Sequence, residues 1–295
     1  MHLHRRVIAL LCATLLLSAC SRIDLAYRNL DWLISWSLDD YLQLDSAQKD
    51  WLKPRLREHL DWHCSTQLPA YSAWLQRSEA LVEQPQLQPE QLRAQFSEFR
   101  QALDAIAVEI TPTGTELLRG LNPLQVQELE AAMAKEDAEL RAEYLEPAME
   151  EQIARRRERM EERLQPWFGD LNDAQRGHVA TWANQLGEQN RLWLDNRAHW
   201  QAKLRAALES RRGAEFDARL QSLLQQRAQH WTPAYREQFE RSQQLLAELF
   251  SNLLNAADSP QRQHLQQRLA ALRQDLDSLA CQPPTTAPAV ANRSE

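Results

Sequence analysis

Glycine is scarce in this chain, at six residues in 295. That leaves no Gly-rich loop to cradle a phosphate and no G-x-S-x-G elbow to present a nucleophilic serine. Alternating β-branched runs between turn signals are missing too, which excludes a fold built on sheets. Beyond the first twenty residues, no apolar run is long enough for a transmembrane helix. Positive charge is in deficit: 34 Lys and Arg face 41 Asp and Glu, for a net charge of −7. This balance argues against a nucleic-acid partner and against an electrostatic membrane patch. None of His59, His63, His178, His199, His230 or His264 follows a glutamate by three residues, so the Glu-x-x-His pattern of di-iron bundles is absent. His59 and His63 share a helical face beside Cys64, as in a zinc half-site, but no glutamate follows His59 as a zincin requires. We therefore expect no metal, no cofactor and no catalytic residue, and a protein that is not an enzyme.

Helical periodicity is what fills the chain. Leu92, Phe96, Phe99, Leu103, Ile106 and Ile110 step by alternating fours and threes, as do Leu265, Leu269, Leu272, Leu276 and Leu279. Val179, Trp182, Leu186, Trp193, Trp200, Leu204 and Leu208 mark one face of a single long helix; Tyr235, Phe239, Leu246, Leu249 and Leu253 mark another. Each stripe needs a neighbour to bury it, so the expected fold is an all-α, kinked bundle of about seven or eight helices, some of them long. Gly120-Leu-Asn-Pro123, Pro166-Trp-Phe-Gly169 and Thr232-Pro233 read as breaks between helices. Pro54, Pro69 and Pro147 should kink or interrupt theirs. EEQIARRRERMEER (150–163) reads as a solvated face, or as a protruding arm that docks a partner.

The amino terminus has the form of a targeting segment, with MHLHRR ahead of the short apolar run VIALLCATLLL. Leu17-Ser18-Ala19-Cys20 resembles a bacterial lipobox. The resemblance implies cleavage after residue 19, diacylglycerol on Cys20, and, with Ser at position 21, attachment to the outer membrane facing the periplasm. The expected organisation is a signal peptide (1–19), a helical domain (20–281) with its best candidate for an internal boundary at 165–171, and a disordered Pro/Thr/Ala-rich tail (282–295). Cys12 leaves with the leader. Cys64 and Cys281 then remain in an oxidising compartment, where one disulfide is the simplest outcome and two buried free thiols the alternative. Trp32 and Trp36 follow closely on the lipid site. They belong either between other helices or at headgroup depth on the bilayer.

One short phrase recurs. Leu44, Asp45 and Gln48 return as Leu121, Asn122 and Gln125, as Leu171, Asn172 and Gln175, and in weaker form as Asp258 and Gln261. Asp or Asn at an N-cap with Gln three residues on makes a capping box. The same phrase is similar to the Leu-Thr-x-x-Gln motif of the Spy-like periplasmic chaperones, much shorter ATP-independent helical proteins that cradle unfolded clients. The opening stretch SRIDLAYRNLDWLISWSLDDYLQLDSAQKDWL, with HLDWHCSTQLPAYSAWL, resembles an uncharacterised family of proteobacterial lipoproteins known only as a domain of unknown function. Together these resemblances imply a lipid-anchored binding protein with an envelope partner or client and a chaperone-like role. The alternative is a structural accessory of an envelope assembly; a lipid-anchored enzyme ranks third.

Overall fold

A computed structural model of the chain describes Tyr27, residues 29–279 and Cys281. The signal peptide, the lipobox Leu17, Ser18 and Ala19, the lipidation site Cys20 and the tail 282–295 lie outside the described residues. Within them the chain is all-α, as expected, with eleven α-helices and no strand. These are α1 (Leu30–Leu42), α2 (Ser46–Trp62), α3 (Leu68–Glu83), α4 (Pro89–Arg119), α5 (Pro123–Leu145), α6 (Met149–Phe168), α7 (Asp173–Gln185), α8 (Gln189–Glu209), α9 (Phe216–Gln225), α10 (Pro233–Asn255) and α11 (Ser259–Asp277).

Local chemistry sets the boundaries. Asp45, Asn122, Asn172 and Asp258 each accept the backbone N–H three residues on, and the glutamine there accepts the N-cap N–H in return. All four predicted boxes therefore start helices, each worth about 1 kcal/mol to its helix. Gly169, at φ +69°, closes α6. The long helix expected across Val179–Leu208 is in fact two, because Gly187 at φ +51° ends α7 before α8 begins. Thr232 Oγ1 accepts the Tyr235 N–H to start α10. Pro54 sits inside α2, and Pro147 falls in the break between α5 and α6. Pro69 lacks an N–H for the carbonyl of residue 65, and the turn ahead of it widens: residues His63–Gln67 are π-helical, with the Leu68 N–H reaching His63 O.

The helices make two hydrophobic cores that interleave in sequence. Leu42, Leu52, Leu117, Leu129, Leu208 and Phe216 anchor the first. Leu75, Leu164, Phe168, Val179, Leu253 and Leu265 anchor the second. The cores do not divide at 165–171. Helix α3, from early in the chain, packs on α11 in the second core, while α8 and α9 pack on α5 and α4 in the first.

The packing is a duplication. In the first half α1 meets α2, α2 meets α4 and α1 meets α5; in the second half α6 meets α7, α7 meets α10 and α6 meets α11. The third helices are exchanged, α3 onto α11 and α8 onto α5, and α4 meets α10 between the halves. Buried residues follow the same correspondence from the capping boxes outward: Leu52 with Val179, Leu117 with Leu253, Leu129 with Leu265, Met133 with Leu269. The Cys64–Cys281 disulfide ties the end of the described chain to the π-helical turn between α2 and α3, inside a small cluster with Leu68 and Leu279.

Candidate functional site

The recurring glutamines meet in pairs, one pair in each half. Gln48 Nε2 donates to Gln125 Oε1 at 3.1 Å, and Gln125 Nε2 donates back at 2.6 Å. In the second half Gln261 Nε2 donates to Gln175 Oε1 at 3.0 Å. The later glutamine of each pair also reaches the backbone carbonyl two residues before the earlier N-cap, Gln43 O for Gln125 and Asp170 O for Gln261. The motif residues are thus brought together as a joint between two helix starts. Leu44, Leu121 and Leu171 beside them are buried, as are Gln125, Gln175 and Gln261, while the Asp45, Asn122 and Asp258 caps stand at the surface. A fifth copy escaped the pattern because glutamine replaces Asp or Asn at its cap: in Leu87-Gln-Pro-Glu-Gln91, Gln91 Oε1 accepts the Gln88 N–H at 2.9 Å.

The histidine pair does not converge on a common point. His59 spans α2 to α4, with Nδ1 2.9 Å from Glu109 Oε1 and Nε2 2.8 Å from Thr113 Oγ1. His63 lies between the Tyr27 and Tyr71 hydroxyls, at 3.0 and 3.3 Å, and Cys64 is consumed by its disulfide. Burial holds the His63 imidazole below its ordinary pKa, and burial followed by the Asp61 charge pushes Tyr27 up to about 12. No group of three potential metal-binding side chains occurs among the described residues.

Among the described residues, exposed apolar side chains and an apolar cavity remain open. The first is the outer face of α4. Phe99, Leu103 and Ile110 belong to the stripe that periodicity assigns to the interior, yet they are 53%, 39% and 45% exposed, with Ile106 only half-buried between them. Val108 adds to the same helix at 55%. Contiguous apolar surface of this kind marks interaction sites on soluble domains. Trp32 and Trp36 stack on one another at 6.5 Å and are likewise exposed, while Ile34, Leu38 and Tyr41 hold the other face of α1 against the first core.

The second feature is a cavity of about 840 Å³ beside the second core, lined by Trp74, Leu164, Phe168, Phe250, Leu265 and Leu269 among others. Leu92 and Phe96 put the first turns of α4 in its wall, so the cavity and the exposed stripe share a helix. Its other notable wall is α6, which carries the charge run expected to stand in water or to protrude as an arm. Neither expectation holds for all of it. Gln152, Arg156, Met160, Leu164 and Phe168 are buried along one face, and α6 packs on α7 and α11. Arg156 donates to Ala183 O at 2.7 Å and Gly187 O at 3.2 Å, capping the carbonyl end of α7. Burial, then the Arg159 charge, hold its guanidinium below its usual pKa. Trp182 and Trp200 are half-buried at the edges of the second and first cores, and Trp193, also half-buried, meets the Tyr144 ring edge-on at 5.8 Å.

A family of unknown function (DUF6279) matches residues 40–236, a span that contains four of the five capping-box copies, Cys64 and all of α2–α9. No curated protein matches the chain. No solved structure does either. No helix among the described residues is long and apolar enough to cross a membrane.

Proposed function

We propose, from the premise that the chain belongs to the DUF6279 family, that its work is binding rather than catalysis. It acts as an envelope protein held by lipid on Cys20 at the periplasmic face of the outer membrane. There it offers a helical surface to other envelope proteins, in the manner of an ATP-independent chaperone. The observation that carries this reading is the uncovered stripe of α4, since Phe99, Leu103 and Ile110 repeat at helical spacing in water. An unfolded segment with scattered apolar side chains can cover such a stripe without a fixed sequence, as a promiscuous binder requires. The Spy-like resemblance supports the same reading. Two halves, each with its own pair of glutamine-capped helix starts, also account for a chain much longer than the Spy-like proteins. The arm version of the structural accessory loses its support, because α6 is packed along its length.

The test uses the chain from residue 20 with Cys20→Ser, mixed in excess with a chemically unfolded client and no nucleotide. Aggregation should be suppressed by this protein, and the Phe99→Asp/Leu103→Asp variant should lose most of the effect while keeping its helical circular dichroism. Equal suppression by both proteins, or none by either, removes the chaperone reading. Palmitate labelling in cells, abolished by Cys20→Ala, checks the anchor separately.

A further inference from the structure

The arginines of α6 separate into two groups that the charge run hides. On the solvent side, Arg155 pairs with Glu151 and Arg157 with Glu161, each one turn away. On the cavity side stand Arg156, Arg159 and Arg163, and none of the three has a carboxylate within ion-pair distance among the described residues, in a chain with more acid than base. They form a ladder from inside to outside: Arg156 is buried, Arg159 half-buried with its Cζ 5.2 Å over the Tyr144 ring, and Arg163 exposed. Arg156 is held by the α7 carbonyls, which leaves Arg159 and Arg163 with free guanidinium donors at the edge of an apolar chamber. Trp182 of α7 also lines the cavity, and its buried Nε1–H has no acceptor among the described residues.

Arg159 and Arg163 reach the mouth of the apolar volume from the solvent side, where they can form charge-assisted hydrogen bonds to an anion. A buried indole N–H without an acceptor adds an unmet demand for an oxygen. An apolar lining, a cationic rim and an orphan donor together describe one class of ligand: a long hydrocarbon chain ending in an oxyanion. The cavity volume falls within the roughly 300–1,000 Å³ of ordinary ligand sites. We propose that this cavity binds an anionic single-chain amphiphile, its acyl chain among the leucines and aromatics between α3, α6 and α11, and its head at Arg159 and Arg163. The inference does not depend on the chaperone reading, because the α4 stripe and the arginine rim are separate side chains.

The experiment titrates the chain 20–295 with Cys20→Ser, which keeps every described residue, against three sixteen-carbon probes below their micelle concentrations. Palmitate should bind at one molecule per chain, read by native mass spectrometry and by fluorescence of the lining tryptophans. Hexadecanol should bind about ten-fold more weakly or worse, and hexadecyltrimethylammonium more weakly still. Arg159→Gln/Arg163→Gln should close the gap between palmitate and hexadecanol, while Arg155→Gln, on the outer face, should leave it. Should the double variant fold poorly, chain length gives an independent reading on the unaltered sequence. Tetradecanoate should bind about ten-fold tighter than dodecanoate. Lysophosphatidylglycerol distinguishes the source: tighter binding than palmitate assigns the head to a membrane-lipid phosphate, weaker binding to a free carboxylate. A cationic probe that binds as well as palmitate, a double variant that keeps the gap, or affinity indifferent to chain length would overturn the proposal. The Phe99→Asp/Leu103→Asp variant should bind palmitate normally, so a failure here is distinct from a failure of the chaperone reading.

Discussion

Truncating Gln175 to alanine should be far more damaging than the same change at Gln48, although both residues occupy the third position of the same phrase. Gln175 is fully buried. Its Oε1 accepts the Asn172 N–H at 3.0 Å and the Gln261 amide at 3.0 Å, and its Nε2 donates to Leu253 O at 3.1 Å. The alanine variant strands a backbone N–H, a backbone carbonyl and part of a second amide. Buried groups left so cost about 1–3 kcal/mol each. The Gln261 amide keeps Asp170 O as an acceptor and so loses least. The sum is then about 3–5 kcal/mol. Gln48 is half-buried and its N-cap, Asp45, is exposed, so water replaces most of what Gln48→Ala removes. That change should cost about 1 kcal/mol, the ordinary worth of a cap. Urea unfolding at constant m-value measures both. A double-mutant cycle across Gln175 and Gln261 should show coupling of about 1 kcal/mol or more, since each removes the other's partner. Equal costs at Gln175 and Gln48, or strict additivity of Gln175 and Gln261, would refute the view that the paired glutamines form a buried joint.

Two further outcomes follow from the cluster at the end of the chain. The disulfide closes a sequence separation of 217 residues, so Cys64→Ser/Cys281→Ser should lower stability in urea by about 2–5 kcal/mol, and an unchanged midpoint would contradict the bridge. Next to it, burial keeps His63 neutral in the folded state, so the unfolded chain takes up the proton first. Stability should therefore fall as pH drops below about 6.5, and His63→Gln should flatten that loss. His230, lowered by burial and then by the Lys203 charge, adds a loss of the same sign. Tyr27 works at the other extreme. Its stabilisation should be intact below pH 10 and disappear as pH rises toward about 12, a decline that Tyr27→Phe removes. Thermal melts across pH check both limbs.

What was legible in the sequence was local. A capping box is four residues long and answers to its own backbone, so Asp45, Asn122, Asn172 and Asp258 can be placed as helix starts without knowledge of any neighbour. The stripes were legible as stripes, but periodicity specifies only that an apolar face exists. Whether another helix covers it depends on the count and direction of the remaining helices, and among the described residues Phe99, Leu103 and Ile110 are left exposed. The charge run was misleading for a related reason. Ile153 and Met160 are its only large apolar residues, so by composition the run reads as a helix standing in water. Arg156, Met160 and Leu164 in fact share the inner face, with the Arg156 head turned onto carbonyls of another helix. Spacing alone hinted at it, since Arg156, Arg159 and Arg163 recur one and two turns apart on the side of Met160.

The duplication makes sense of where the open features lie. Each half supplies two glutamine-joined helix starts, but its third helix completes the other half, α3 seating on α11 and α8 on α5. Neither half can then close its core alone, and the two are bound as partners would be in a dimer, with α4 and α10 in contact between them. The halves have also diverged where they face outward. The second half carries the α6 arginine ladder over a large apolar chamber. The corresponding helix of the first half, α1, carries the exposed Trp32 and Trp36 instead, beside an open groove of about 1090 Å³ that Asp31, Asp39, Lys53 and Arg57 also line. A duplicated scaffold that keeps its buried glutamine joints and varies only its outer faces separates stability from recognition. Changes at Gln175 or Gln261 should break the fold, whereas changes at Phe99, Leu103, Arg159 or Arg163 should alter what is bound and leave the fold standing.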